Sequence, residues 1–243
     1  MSIVLSAYSP HSIVLYLQSF FNQPLFVSKR PTISVLMAVY NTDFHLVKRA
    51  IDSVLCQYFT NFELVIVDDG SNNATQNLLL NYAKKIEDKI IYLRHDNCGQ
   101  SKSINRGILN SNGTYIAILD ADDEYQPNYL INCMEQMKGA DLIASTTITI
   151  VDKEEDYYVP DKYDNSQVIH VDDCVLFATL FGKKEVFTRL PFQDIYAADA
   201  HFYENAAQLF RVKKVNLRNY IYYRNIPNSI CATLKQKSSI ALV

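Results

Sequence analysis

From residue 33 to about 150 the chain alternates short apolar runs with amphipathic stretches of helical period. Ile33-Ser-Val-Leu-Met-Ala-Val39 is apolar almost throughout, as a strand buried on both faces is. Asn41-Thr-Asp43 is a helix-start cluster, and Leu46, Val47, Ala50, Ile51, Val54 and Leu55 follow it at helical spacing. Phe62-Glu-Leu-Val-Ile-Val67 is a second buried strand, ending at Asp68-Asp-Gly-Ser71. A helix over roughly 74–86 leads to a third strand, Ile90-Ile-Tyr-Leu93. The loop Asn97-Cys-Gly99 opens a helix through Ile104 and Ile108 to Ser111, and Gly113 is expected to end it with a positive φ. Tyr115-Ile-Ala-Ile-Leu119 is a fourth strand, ending at Asp120-Ala-Asp-Asp123. Pro127 suits the first turn of the next helix, whose apolar residues include Leu130, Met134 and Met137. Leu142 to Val151 reads as a fifth strand.

This order predicts an α/β fold: a mainly parallel sheet with helices on both faces, right-handed connections, and ligands beyond the carboxyl ends of the strands. Residues 152–170 read as a solvated hairpin or loop, charged and then tyrosine-rich. Further on, Ala206–Phe210 reads as a helix end, and Lys213–Leu217 and Tyr220–Arg224 as two strands. No linker-like stretch divides the chain, so a single domain is expected over 33–230. Residues 1–32 would be an apolar strand and helix packed on it, and 231–243 a C-terminal tail. Ser2–Tyr8 and Leu17–Gln23 loosely echo Ile33–Tyr40 and Ile51–Gln57. The offsets differ, so these read as similarly patterned units, not as a repeat.

Composition narrows the classes. Of 243 residues, 49% are hydrophobic and 20% charged, enough for a core and too few charges for disorder. With 23 basic against 26 acidic residues, nucleic acid is not expected as a partner. Five scattered cysteines without a CxxC pair disfavour a disulfide framework and a structural zinc site, and they suit a reducing compartment such as the cytoplasm. His11, His45, His95, His170 and His201 show no metal-ligand spacing. No apolar run reaches the ~20 residues of a membrane span, so only peripheral association with a membrane surface is expected. Residues 1–28 carry no Lys, Arg, Asp or Glu, unlike the basic start of a secretory signal. Such an apolar end suits a homodimer contact as readily as a core.

The polar clusters fall where the strands end: Asp68-Asp69-Gly70, Gly99, and Asp120-Ala121-Asp122. In extended backbone Asp120 and Asp122 point to one side. Hard cations such as Mg²⁺ and Mn²⁺ prefer oxygen ligands and often bridge to a diphosphate. Five carboxylates at two strand ends are costly unless a cation neutralises them.

In these motifs the chain resembles glycosyltransferase family 2, with its GT-A nucleotide-sugar fold. The likeness rests on Ile33–Asn41, Ala50–Gln57, Phe62–Ser71, Asn105-Arg-Gly107, Gly113–Asp123 and Tyr222-Tyr-Arg-Asn-Ile-Pro-Asn-Ser229, and it covers roughly residues 33–230. The resemblance implies an inverting transfer from a nucleotide sugar, a UDP-sugar above all, to a hydroxyl of a glycan, a lipid-linked or a protein acceptor. It places Ala38, Val39 and Tyr40 against the base, Asp68 in a hydrogen bond to that base, Gly99 at the donor, Asp120 near the ribose and metal, and Asp122 on Mn²⁺ or Mg²⁺. Asp123 would support the site from behind. Asp199 matches the general base, the Asp of a Glu-Asp pair at the start of a late helix. Its alternative role is that of a helix N-cap.

The chain departs from the family pattern at Ala198, where the Glu of that pair stands, and at Ile104, where an Arg often precedes Asn105-Arg-Gly107. Lys102 or Arg224 are candidates to supply the missing cation. His201 and Tyr203 replace an acidic residue and a Trp. Tyr157, Tyr158 and Tyr163 are candidates to line a sugar site. Trp is absent, so the Gln-x-x-Arg-Trp element of processive synthases is too. Two alternatives stay open: a nucleotidyltransferase, which wants a Gly-rich loop that Val39-Tyr-Asn-Thr-Asp43 lacks, and a catalytically degenerate sugar-nucleotide-binding or partner-binding protein of the same fold.

Overall fold

The computed structural model describes residues 30–226 apart from Asn73 and Asn165. The expected N-terminal strand and helix, the sequence echo and the C-terminal tail lie outside the described residues. An eight-stranded sheet runs in the order β3-β2-β1-β4-β9-β6-β10-β5. Its members are β1 (Ile33–Val39), β2 (Phe62–Asp68), β3 (Ile90–Arg94), β4 (Tyr115–Ile118), β5 (Glu124–Tyr125), β6 (Leu142–Ile150), β9 (Leu180–Lys183) and β10 (Val212–Tyr223). Strands β3, β2, β1 and β4 are parallel neighbours, as are β6 and β10. Strand β9 is antiparallel to both β4 and β6, and β5 is antiparallel to β10. The expected mixed, mainly parallel α/β sheet is what the chain forms.

Helices α1 (Phe44–Leu55), α2 (Thr75–Lys84) and α3 (Gln100–Asn110) make the crossovers between β1, β2, β3 and β4. Helix α4 (Tyr129–Gln136) precedes β6, α5 (Lys184–Arg189) follows β9, and α6 (Ala198–Leu209) precedes β10. Helix α1 starts where the sequence signals it, with the Asp43 side chain accepting the His45 N–H at 3.1 Å. It buries Val47, Ala50, Ile51 and Val54, the stripe of helical spacing. Every residue of β2 is buried, Glu63 included. That carboxylate accepts the Ser34 hydroxyl at 2.6 Å and both N–H groups of Asn112, so its burial is compensated.

Four sequence expectations change. Gly113 has no positive φ; α3 already ends at Asn110. Glycine is needed there because a Cβ would lie 2.5 Å from the Ser34 backbone nitrogen, where the turn crosses β1. Pro127 precedes α4, which begins at Tyr129 with Asn128 before it. The two strands expected over 213–224 are one, β10, interrupted by a bulge. Residues 216–219 of β10 stand against Thr146 alone on β6, and Arg218 has φ 45°. The polar bulge residues imitate a turn in sequence. Strands β5 and β9 and helix α5 had no sequence signal: β5 is two residues long, and β9 is four with a glycine.

The 152–170 segment forms a short 3₁₀ turn and the hairpin β7 (Tyr158–Pro160) and β8 (Val168–His170), with Tyr158 opposite His170. The described cysteines are all free. No helix among the described residues is long and apolar enough to cross a membrane.

Candidate active site

The parallel strands β1, β2 and β4 end on one rim, and the chain leaves each of them through polar residues. Val39 pairs with Asp68, and the Asp69 N–H donates to the Val39 carbonyl at 2.8 Å. Beyond this edge Val39 is buried, Ala38 is half-buried and Tyr40 is 52% exposed. Tyr40 thus presents an aromatic ring at the rim, a surface on which a flat base can stack.

Asp68 and Asp69 find their compensation in protein groups, the cation beside Asp68 being Arg94. Asp68 accepts the Ser71 N–H on Oδ1 and Tyr92 Oη and Arg94 Nη1 on Oδ2, all within 2.7 Å. Burial works to raise its pKa, but these hydrogen bonds outweigh it and hold the carboxyl below its ordinary value. Asp69 accepts the N–H groups of Cys98 and Gly99 at 2.8 and 2.9 Å. Both carboxylates therefore hold protein in place. Gly70, at φ +80°, makes the turn that sequence chemistry expects.

The carboxylates after β4 are in a different condition. Asp120 accepts Gln100 Nε2 at 2.8 Å. Burial, then the charges of Asp122 and Asp199, push its pKa up to about 7. Asp123 is buried and bound by Tyr220 Oη at 2.7 Å and the Tyr223 N–H at 2.8 Å. Its pKa is still driven well up, by burial first and by Asp120 and Asp122 next. Burial also raises Asp122, with Arg49 the charge that partly offsets it. Arg49 donates to the Asp122 carbonyl at 2.6 Å, pairs with Glu124 and lies 4.0 Å from the Tyr223 ring centroid. This is a pocket of negative charge with oxygen ligands only, the donor set that hard divalent cations prefer.

Asp199 sits in the first turn of α6, close enough for its charge to act on Asp120. It is not the N-cap: Ala197 is, in the left-handed conformation at φ 52°. For a non-glycine residue that conformation costs roughly 1–2 kcal/mol. Asp199 Oδ2 accepts the Phe177 N–H at 3.1 Å and Oδ1 accepts the Ala200 N–H at 2.8 Å. Burial pushes its pKa up. Ala198, in place of a second carboxylate, packs against the core.

Gly99, at φ +98°, is the N-cap of α3, and a Cβ on it would come 3.8 Å from Asp194 Oδ1. Of the two candidate cations, Lys102 is engaged with Asp194 at 3.4 Å on the surface. Arg224 is 91% buried by its 9% exposure, and its Nε and Nη1 have no hydrogen-bond partner among the described residues. Its Nη2 donates to the Tyr158 carbonyl at 3.5 Å, so two of the three guanidinium nitrogens are left without an acceptor, which is costly and suits an anion. Tyr157 stacks on His170, Tyr158 meets the same ring edge-on, and Tyr163 donates to Glu204.

Comparisons with known proteins agree with this geometry. The chain is 29% identical over 197 residues to an uncharacterized glycosyltransferase of Rickettsia prowazekii, covering 76% of this chain and 60% of that protein. It spans at most three fifths of the length of the rickettsial relatives it matches. Among solved structures, Staphylococcus aureus TarS 1–349 in complex with UDP superposes with a TM-score of 0.63 at 17% identity, over 79% of this chain and 60% of that TarS fragment. Mannosyltransferase PcManGT from Pyrobaculum calidifontis, solved with GDP-Man and Mn²⁺, gives 0.64 at 18% identity, over 96% of this chain and 69% of the enzyme. The fold is therefore that of the GT-A glycosyltransferases. Residues 34–191 match the model of glycosyl transferase family 2, and the chain belongs to that family.

Proposed function

We propose that the chain is a metal-dependent, inverting glycosyltransferase that moves a sugar from a nucleotide sugar, a UDP-sugar in the first instance, to an acceptor hydroxyl. The observation that carries this reading is that the charges of Asp122 and Asp199 both act on the buried Asp120, a group of carboxylates that Arg49 and Lys162 offset only in part. Nucleotide-sugar complexes of the same fold, with UDP in TarS and with GDP-Man and Mn²⁺ in PcManGT, support it.

Asp122, with Asp120 beside it, would hold Mn²⁺ or Mg²⁺. The cation, when bound, supplies charge neutralisation at the departing diphosphate. Ala38, Val39 and Tyr40 receive the base, and Asp68 fixes the floor beneath it by orienting Tyr92 and Arg94. Gly99 leaves room for the donor at the start of α3. The two unpartnered nitrogens of Arg224 would donate to phosphate oxygens, the role for which the sequence offered Arg224 as a candidate. Asp199 takes the proton of the acceptor hydroxyl as the oxygen attacks the anomeric carbon opposite the leaving nucleotide, which inverts the configuration. General-base help of this kind is worth ~10²–10⁴ in rate.

A second reading, a non-catalytic binder of sugar nucleotides, draws on Ala198. Calorimetric titration of UDP with and without Mn²⁺, followed by a panel of nucleotide sugars assayed for hydrolysis, separates the two. Manganese-dependent binding with turnover supports the enzyme, and binding without turnover supports the non-catalytic reading. Silence of UDP, GDP, CMP and dTDP nucleotides alike would overturn both.

A further inference from the structure

The acidic turn leaves the sheet behind. Strand β4 pairs with β9 as far as Ala117 and with β1 as far as Ile118, and the Leu119 N–H still reaches the Leu36 carbonyl at 3.0 Å. Asp120 to Asp123 then form a tight turn, closed by the Asp123 N–H on the Asp120 carbonyl at 3.2 Å. One side chain from β10, 97 residues beyond Asp123 in sequence, takes hold of both ends of that turn. Tyr220 Oη donates to Asp123 Oδ2 at 2.7 Å and accepts the Asp120 N–H at 3.3 Å. A hydroxyl has one proton and two lone pairs, so it can serve both partners at once. Asp122 lies between the two points that it fixes.

We infer that Tyr220 is a positioning residue for the acidic turn: its hydroxyl holds Asp120–Asp123 in the shape that presents Asp120 and Asp122 to a hard divalent cation. The inference rests on the metal reading of those two carboxylates proposed above. The other Asp123 oxygen, Oδ1, takes the Tyr223 N–H at 2.8 Å, so Asp123 is the anchor through which β10 grips the turn. The hydroxyl is itself held still. Tyr220 is 1% exposed, and its ring meets Tyr125 edge-on at 5.6 Å and Tyr129 at 6.0 Å, while those two rings stack at 4.1 Å. The three hydroxyls divide the work. Tyr125 donates to the Ile118 carbonyl at 2.6 Å, Tyr129 Oη lies 3.4 Å from Ser145 Oγ, and Tyr220 is bonded to the turn.

Groups that orient metal ligands from behind typically change metal affinity by about 10–100-fold when removed. Phenylalanine at 220 keeps the ring contacts and releases the turn at both ends. The sequence concealed this role, because nothing in the order of residues around 220 says which strand end its hydroxyl reaches.

The test reads Mn²⁺ uptake by the full chain in the presence of UDP or GDP, from the loss of the free-ion electron paramagnetic resonance signal. No sugar donor or acceptor is needed. Tyr220→Phe is expected to bind Mn²⁺ about 10–100-fold more weakly than wild type. Tyr125→Phe, which deletes a buried hydroxyl of the same cluster that is bonded to β4 instead, keeps wild-type affinity. A purely structural Tyr220 would lower the melting temperature and leave Mn²⁺ affinity alone. That result in folded Tyr220→Phe, or an equal loss in Tyr125→Phe, overturns the inference. Where Tyr220→Phe does not fold, amide hydrogen exchange of metal-free wild type decides: the Asp120 and Asp123 amides should be as protected as those of β4. Amides that exchange freely until Mn²⁺ and nucleotide arrive overturn the preformed turn. Wild type that takes up no Mn²⁺ defeats the metal reading and this inference with it, whereas equal affinity in wild type and Tyr220→Phe defeats the role of Tyr220 alone.

Discussion

The side-chain amide of Asn105 and the backbone of Phe192 exchange a closed pair of hydrogen bonds: Nδ2 donates to the Phe192 carbonyl at 2.8 Å, and Oδ1 accepts the Phe192 N–H at 3.0 Å. Helix α3, which carries Asn105, lies close on the sheet because a Cβ on Gly107 would already touch Leu36 and Val67 at 3.4 Å. Phe192 in turn stacks against Phe177 at 4.2 Å and Phe202 at 4.3 Å. Asn105 therefore hooks the segment that delivers Asp199 onto the sheet that delivers Asp120. Asn105→Ala should cost about 1–3 kcal/mol, the penalty of leaving half-buried polar groups unpaired, as read by urea unfolding. Turnover should fall further than donor affinity, because the base and not the nucleotide floor is displaced. Wild-type stability in this variant would show that Phe192 finds water instead.

Removing the proposed base isolates its contribution. Asp199→Asn keeps the acceptor geometry toward the Phe177 N–H on one oxygen and abolishes proton uptake. Turnover should drop by ~10²–10⁴ while manganese-dependent nucleotide binding persists. Turnover within a factor of ten of wild type would move the base elsewhere.

Burial, and charge crowding with it, make the metal-free fold sensitive to pH in an unusual direction. The Asp120 carboxyl is raised from an ordinary 3.8 to about 7 in the folded protein. Between those values the folded state binds more protons than the unfolded one, so stability falls as pH rises through about 7 and grows as pH is lowered toward 4. Metal-stripped protein should therefore melt at a higher temperature at pH 5.5 than at pH 8. Asp120→Asn should flatten that slope, and saturating Mn²⁺ should reverse it. A metal-free melting temperature that climbs between pH 5.5 and 8 would contradict the crowding.

Arg224 offers a test in which stability and function move oppositely. Replacing a buried guanidinium that has two unpartnered nitrogens by an apolar chain of similar length relieves its desolvation cost. Arg224→Met should leave the nucleotide-free protein as stable as wild type or more so. Charge-assisted hydrogen bonds are worth about 1.5–3 kcal/mol each, so UDP affinity should fall at least tenfold. Unchanged affinity would remove Arg224 from the phosphate contacts, and a large loss of stability would mean that its partner is part of the protein.

Much of the sheet was legible because β1, β2 and β4 are buried on both faces and so read as unbroken apolar runs bounded by glycine and aspartate. The strands that escaped notice carry no such signature. Leu180-Phe-Gly-Lys183 becomes a strand only because β4 and β6 leave a slot between them, a condition set by tertiary structure and not by the four residues themselves. The acidic cluster after β4 was legible as a candidate site from its residue types and its place at a strand end. The shift of Asp120 was not, since part of it comes from the charge of Asp199, on a distant segment, and is moderated by Gln100 on another. The opposite error arose at Asp68, whose partners Tyr92 and Arg94 lie on the next strand and were invisible to local reading.

The bulge in β10 has its own consequence for how this chain tolerates change. Asn219 is held by Asn132 and Gln126, and Arg218 by the Thr147 carbonyl and Asp172, so the extra residues are anchored on both sides. Past them the strand returns to register with Tyr220 opposite Thr147. Shortening the bulge by a single residue would reverse the facing of everything downstream and swing Tyr220 away from Asp123 and Arg224 out of its niche. Point replacements at 216–219 should therefore be survivable where a one-codon deletion is not, and a deletion scan across β10 should show a sharp silence at those four positions.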